Sequence, residues 1–288
     1  MNLLSEQRSI EGQPGRQGGP QPTLTVGIAG FGAIGKKVAQ ALDGGVPGLR
    51  LVAVSARDMA RAEAAVRGFR VPVPLVPVES LGEMADVVVE CAPAEIFMRI
   101  AEPTLRRGRT LVVVSVGAVL QNPQIEALAR EHGGRVLVAT GALLALDAMQ
   151  AAREGEIHSV RMVTRKPPAG LAGAPYLVAN GIDLTDLRAP LKVFEGSARK
   201  AVQGFPANVN VAAALGLAGI GVDRTTIEIW ADPGVDRNMH VIHVEADSAS
   251  FSMSIANVPS ENPKTGRITP LSVIATLRKM GSPLQIGT

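Results

Sequence analysis

Gly30, Gly32 and Gly35 carry the strongest chemical signal in this sequence, because Gly30-Phe31-Gly32-Ala33-Ile34-Gly35 has the spacing of a phosphate-binding turn. The first glycine permits a tight bend and the second lets the backbone approach a pyrophosphate. The third lets the next helix pack against its strand. Leu24, Val26 and Ile28 before the turn read as a strand, and Lys36 to Leu42 after it read as a helix. Free N–H groups at that helix start would face phosphates, so dinucleotide binding is expected at residues 30–35. The alternative is a glycine turn that only packs a helix on a sheet. Ser55-Ala56-Arg57-Asp58 follows about 20 residues later, where a carboxylate commonly takes ribose hydroxyls. Ser55 holds the expected place, Asp58 comes slightly late, and Arg57 is a residue type that would accept a 2′-phosphate. Use of either NAD or NADP is therefore expected, against the alternative of a solvated Arg-Asp pair.

The chain has one cysteine, Cys91, which excludes an internal disulfide and a CxxC metal site. It reads as a buried thiol at a strand end, with the turn at Cys91 and Ala92 expected to face the cofactor and a nucleophile as the lesser alternative. His132 and His158 sit in helix-end or turn contexts. His240 and His243 are three apart on one expected strand and so point to opposite faces. Only one can face a bound cofactor, and His240, beside the Asp236-Arg237-Asn238 turn, lies at the strand mouth. No other His or Cys completes a zinc set, so no metal is expected.

The elements that must position these residues alternate through the first half. Leu49–Ser55, Asp86–Cys91, Leu111–Ser115 and Arg135–Ala139 read as strands, with helices at 61–68, 94–106 and 122–132 between them. That alternation predicts an α/β fold with a doubly wound parallel sheet, placing Gly30, Ser55, Cys91, Ser115 and Thr140 along one edge. The texture changes near residue 143. After a helix at 146–153, Ser159–Thr164 alternates as a half-exposed strand, and Arg165-Lys166 follows as a loop. Helices are expected at 195–205 and 208–217. Thr226–Ala231, His240–Ala246 and Ser250–Ala256 alternate strictly, as an α+β domain with an open mixed or antiparallel sheet would. Thr269 is expected to cap a last helix, with Pro270 at its first position and Leu271, Ile274 and Leu277 on one face. The division expected is a loose tail at 1–22, a dinucleotide-binding domain at 23–142 completed by a helix at 263–288, and a substrate domain at 143–262.

Composition narrows the function classes. Of 288 residues 46% are hydrophobic and 3% aromatic, and the net charge of +3 is spread along the chain, leaving no basic stripe for nucleic acid. A small anionic ligand fits better. No stretch is apolar enough to span a bilayer, and the Gly/Gln/Pro-rich leader has no signal-peptide core, so a cytoplasmic protein is expected.

Several stretches resemble the L-aspartate dehydrogenase family: GFGAIG at 30–35, VVECAP at 88–93, VVSVGA at 113–118, GALLALDA at 141–148, TRKPP at 164–168, FPANVNVAAAL at 205–215, ADPGVDRNMHVIHVEA at 231–246 and NPKT at 262–265. The resemblance implies a Rossmann domain followed by a substrate domain with an open mixed sheet. It implies that Ala142 and Asn210 contact the nicotinamide cofactor and that His240 is catalytic. It implies oxidation of L-aspartate to iminoaspartate, which water converts to oxaloacetate and ammonia. A homodimer is expected. Hydride leaves Cα only from a neutral amine, and histidine has the ordinary pKa to accept the proton near neutrality. The substrate's two carboxylates call for fixed donors; Arg165-Lys166 and Lys264-Thr265 are the basic pairs placed in loops, with Asn238 beside them as a further substrate contact. Two other readings remain: a different two-domain NAD(P)-dependent reductase, of semialdehyde or dihydrodipicolinate type, and a non-catalytic NAD(P)-binding regulator.

Overall fold

The computed structural model describes residues 23–144, 146–206, 210–260 and 266–287; the expected tail, Lys264 and Thr265 lie outside them. The first sheet comprises β1 (Leu24–Ala29), β2 (Leu49–Ser55), β3 (Val87–Glu90), β4 (Thr110–Val113) and β5 (Arg135–Val138), all parallel, in the order β2-β1-β3-β4-β5. The helices of this part are α1 (Ala33–Asp43), α2 (Met59–Val66), α3 (Leu81–Met84), α4 (Phe97–Arg106), α5 (Val116–Gln121) and α6 (Gln124–His132). Both faces of the sheet are covered, which is why its strands are apolar without alternation. Val26, Ile28, Val87, Val89 and Val112 pack with Val38 and Leu42 of α1, whereas Val88, Leu111 and Val113 pack with Phe97, Ile100 and Leu105 of α4. The chain leaves β1 for β2 on one side and returns to β3 on the other. The strand order therefore reverses beside β1, and a crevice opens at the carboxyl ends there.

The rest of the chain contains α7 (Leu146–Arg153), β6 (Ile157–Lys166), α8 (Pro168–Leu171), α9 (Pro175–Ala179), β7 (Leu191–Ser197), α10 (Ala198–Gly204), α11 (Asn210–Ala218), β8 (Thr226–Ala231), β9 (Asn238–Ala246), β10 (Ser250–Asn257) and α12 (Ile268–Gly281), which returns to the first sheet. The second sheet runs β10-β9-β6-β8-β7 and is mixed, since β6 and β8 are parallel and the other neighbours antiparallel. One face is packed under helices: Val160, Met162, Ile227, Ile229, Ile242 and Val244 share a core with Met149, Ala201, Ala213 and Leu215.

Three expectations are corrected here. Glu195-Gly196-Ser197 ends β7 rather than opening a helix, and Ser197 caps α10 by accepting from the Lys200 N–H. β7 is an edge strand bulged between Lys192 and Phe194, so its apolar positions do not alternate. Arg165 and Lys166 belong to β6, not to a loop, because β6 is held on both sides, by β8 to Ala231 and by β9 to Met239. Finally, α12 begins at Ile268, which puts Thr269 inside its first turn. Its buried residues include Pro270, Val273 and Leu277, and Leu271 is exposed. That face packs on α1 and β2.

Candidate active site

The glycine turn lies in the crevice beside β1. Gly30 has φ of +95°, and a side chain there would strike the Cys91 carbonyl oxygen at 2.5 Å. A Cβ on Gly35 would lie 1.9 Å from the Gly30 oxygen. Those two glycines are demanded by the fold itself. Gly32 differs: it is exposed, its φ of −79° suits any residue, and nothing stands within 4 Å of where its Cβ would be. The open space beside Gly32, at the start of an α1 that has neither a side-chain cap nor an acidic first turn, fits a phosphate that only this glycine admits. Gly32→Val is accordingly expected to leave the melting temperature nearly unchanged and to weaken NADH binding by about tenfold or more, whereas Gly35→Val disrupts folding. Thermal melts and fluorescence titration check both.

Phe31 and Ile34 pack partly into the core beneath this turn, and Ala33 opens α1 at the surface. Arg57 and Asp58 are exposed after β2, and Asp58 is engaged as the cap of α2, accepting from the Arg61 N–H at 3.0 Å. Cys91 and Ala92 form the turn against Gly30. Cys91 is partly buried against the first core, and burial, then the neighbouring Glu90, pushes its thiol well up.

A cleft joins this edge to the second sheet, and its floor follows from strand parity. On β6 the covered face carries Val160 and Met162, then Thr164 and Lys166; on β9 it carries Val244 and Ile242, then His240 and Asn238; on β10 it carries Phe251, Met253 and Ile255, then Asn257. One continuous face is thus apolar beneath the helices and polar at its end. Lys166, Asn238, His240 and Asn257 line the cleft there. Val114 and Val116 after β4, Thr140, Gly141 and Ala142 after β5, Asn210 and Val211 of α11, and Ile34 face them. Asn210 is fixed by the Gly117 N–H, which donates to its Oδ1 at 3.2 Å.

His240 is 2% exposed and sits opposite Thr164 on β6, its Nδ1 2.8 Å from the Thr164 hydroxyl. His243 lies on the other face, with Nδ1 2.8 Å from the Ser252 hydroxyl. The two histidines therefore divide between the faces as their spacing requires. The ordinary pKa expected of His240 is not retained. Burial, and then the charge of Lys166, lower it from 6.5 to about 3, so the imidazole of the free protein is neutral at neutral pH.

Arg165 and Lys166 are separated by the same parity. Arg165 points to the open face, donates to the Asp232 carboxylate at 2.9 Å and stacks 4.9 Å over Trp230. Lys166 points into the cleft, 3% exposed, with no hydrogen-bond or acidic partner among the described residues, and burial lowers its pKa from 10.5 to about 8. A buried ammonium without a counter-ion is costly unless an anion arrives to pair with it. Asn257 is a residue that the sequence reading does not single out. Its Nδ2 donates to the Ala142 carbonyl at 3.1 Å, tying the second sheet to the turn after β5, and its buried Oδ1 has no partner among the described residues. The polar end of the alternating run from Phe251 is the signal that could have found it. Among the described residues no cluster of potential ligands suits a metal ion, and no helix is long and apolar enough to cross a membrane.

A glycine turn at the switch point of a parallel sheet, opening onto a buried histidine and lysine on a second sheet, is the arrangement expected of an NAD(P)-dependent oxidoreductase. Residues 147–280 match the family model described as aspartate dehydrogenase, C-terminal, and residues 30–139 that described as homoserine dehydrogenase, NAD binding domain. The L-aspartate dehydrogenase of Bradyrhizobium diazoefficiens is 60% identical over 265 residues, 92% of this chain and 94% of that protein. L-aspartate dehydrogenase 3 of Bordetella bronchiseptica is 53% identical over 92% of this chain and 98% of its own length. The crystal structure of aspartate dehydrogenase from Thermotoga maritima superposes with a TM-score of 0.67 at 26% identity, covering 92% of this chain and 99% of that one. This chain belongs to the L-aspartate dehydrogenase family.

Proposed function

We propose that the chain oxidises L-aspartate at Cα with NAD or NADP, giving iminoaspartate and then oxaloacetate and ammonia. Residues 23–142 with α12 would hold the cofactor, and residues 143–262 the substrate. Lys166 is the observation that carries this reading: a buried ammonium with no counter-ion among the described residues, in the same cleft as His240, suits a substrate that brings carboxylates.

The Gly30 to Gly35 turn would hold the pyrophosphate, Arg57 and Asp58 the adenosine ribose, and Cys91, Ala92, Ala142 and Asn210 the nicotinamide end. When bound, the nicotinamide ring accepts the hydride that leaves Cα. The chain's own residues prepare that transfer. Lys166 binds a substrate carboxylate, and Asn238 beside it supplies a further polar contact. His240 takes a proton from the substrate ammonium, because only the neutral amine has the lone pair that forms the C=N bond as hydride departs. The carboxylate at Lys166 cancels the charge that helps depress His240, so binding the substrate itself raises the basicity of the imidazole. Water then adds to the imine carbon, and ammonia leaves as the C=O bond forms, with His240 placed to relay the proton.

Purified protein given L-aspartate with NAD⁺ or NADP⁺ in turn is expected to generate reduced nicotinamide, read by absorbance. Failure with both cofactors would overturn the substrate assignment. Arg57→Ala is expected to raise the KM for NADP⁺ by about tenfold and to change that for NAD⁺ far less, the loss being one charge-assisted phosphate contact. Equal changes would place the adenosine end elsewhere. A homodimer in the cytoplasm completes this reading, supported by partly exposed Val163, Trp230 and Val241 on the open face of the second sheet; sedimentation measures the assembly.

A further inference from the structure

Glu90 is a carboxylate that the chemistry above does not use. It ends β3, is 0% exposed, and has no cationic partner among the described residues. Its oxygens instead collect hydrogen bonds from two separate turns. Oε1 accepts from the Ala92 N–H at 3.0 Å and the Ser115 hydroxyl at 3.0 Å; Oε2 accepts from the Ser115 N–H at 2.9 Å and the Val114 N–H at 3.3 Å. The Ser115 hydroxyl also lies 3.2 Å from the Ala92 carbonyl, closing the link between the turns.

Such a clamp has a physical rationale. Parallel strands that end together leave backbone N–H groups beyond their ladders, and buried ones need acceptors. A carboxylate accepts at both of its oxygens, whereas an amide accepts at only one of its two terminal atoms and a hydroxyl has a single oxygen. The position gives the clamp its functional meaning. The Cys91–Ala92 turn is the backbone against which Gly30 packs, so close that a Cβ on Gly30 would lie 2.5 Å from the Cys91 oxygen, and its placement therefore sets that of the glycine turn. The Val114–Ser115 turn leads into Val116 on the cleft wall and Gly117, whose N–H holds Asn210. The pyrophosphate turn and the nicotinamide end of the expected cofactor path are thereby tied to one buried side chain.

We propose that Glu90 is a positioning residue for the dinucleotide, fixing the spacing of the turns after β3 and β4 so that the crevice is already formed before the cofactor arrives. The proposal rests on the reading that NAD or NADP occupies this crevice. Glu90→Gln keeps the shape of the side chain but turns one accepting atom into a donor facing N–H groups, so one turn loses its hold.

The test compares wild type, Glu90→Gln, Ser115→Ala and the double variant, each measured well below its melting temperature. Fluorescence titration of NADH and NADPH, and steady-state kinetics with L-aspartate, give the readouts. For Glu90→Gln the dissociation constants of both reduced cofactors are expected to rise about tenfold or more, with kcat at saturating cofactor within about threefold of wild type. Ser115→Ala should show a smaller rise, and the double variant should bind as Glu90→Gln does, because both residues act through one clamp. Cofactor affinity unchanged in Glu90→Gln, or strictly additive effects in the double variant, would overturn the proposal. If Glu90→Gln does not fold, Ser115→Ala alone decides, since unaltered cofactor affinity there contradicts the clamp. Wild type that binds neither cofactor would instead overturn the cofactor reading itself.

Discussion

His240→Ala is expected to lower kcat for L-aspartate oxidation by about 10²- to 10⁴-fold, the range for loss of a positioned acid or base, while NADH affinity changes little. Binding should survive because the phosphate turn belongs to the other sheet. His243→Ala is the control, since its ring faces away from the cleft and pairs with Ser252. It is expected to retain wild-type turnover. The reverse pattern, with His243 essential and His240 dispensable, would remove the assignment of the cleft face. His240 further predicts a pH response. Its folded pKa of about 3 lies below the ordinary 6.5, so the unfolded chain binds the extra proton between those values. Its contribution to stability is complete above pH 6.5 and declines as the pH falls towards 3.

Lys166→Met is expected to act in opposite directions on function and stability. Losing the ammonium should raise the KM for L-aspartate by about a hundredfold, as expected when one partner of a desolvated charge pair is removed. Stability should rise. Lys166 titrates at about 8 in the folded chain against 10.5 ordinarily, so the unfolded state holds its proton more tightly. Below pH 8 both states are protonated and the folded chain bears the whole penalty, which is relieved as the pH climbs from 8 to 10.5. The penalty is of the order of 3 kcal/mol, from about 1.4 kcal/mol per pKa unit. Methionine has a similar shape and no charge, so a melting temperature several degrees higher at pH 7 is expected from roughly 2–4 °C per kcal/mol. Unchanged aspartate kinetics together with a lower melting temperature would show that Lys166 is a structural residue.

These effects concern residues that the sequence placed unequally well. The glycine turn was legible because its spacing is local: Gly35 is fixed by the Gly30 oxygen five residues before it, and Gly30 by its positive φ, although the backbone it packs on, Cys91, comes only after β3. The division of His240 from His243 was legible for a similar reason, since side chains alternate along any strand. The apolar runs of β3 and β4 announced a sheet covered on both faces.

Lys166 shows where local information ended. The alternation visible to Thr164 suggested a strand stopping there, but β8 and β9 pair with β6 further along and carry Arg165 and Lys166 within the sheet. Parity then sends one residue to Asp232 and Trp230 and the other into the cleft. Asn257 ends a similar run, and its tie to Ala142 spans 115 positions of chain. The bulged edge strand β7 was missed because its pairing with β8, not its own pattern, makes it a strand.

The sequence by itself determined the phosphate turn, the strands of the first sheet, the family, and which histidine could face a ligand. Tertiary structure decided which charges meet water and which do not. The low basicity of His240, the buried ammonium of Lys166 and the clamp at Glu90 all arise where strands distant in sequence are packed together. The energy of a charge depends on the solvent and counter-charges around it, and those surroundings exist only once the chain has folded.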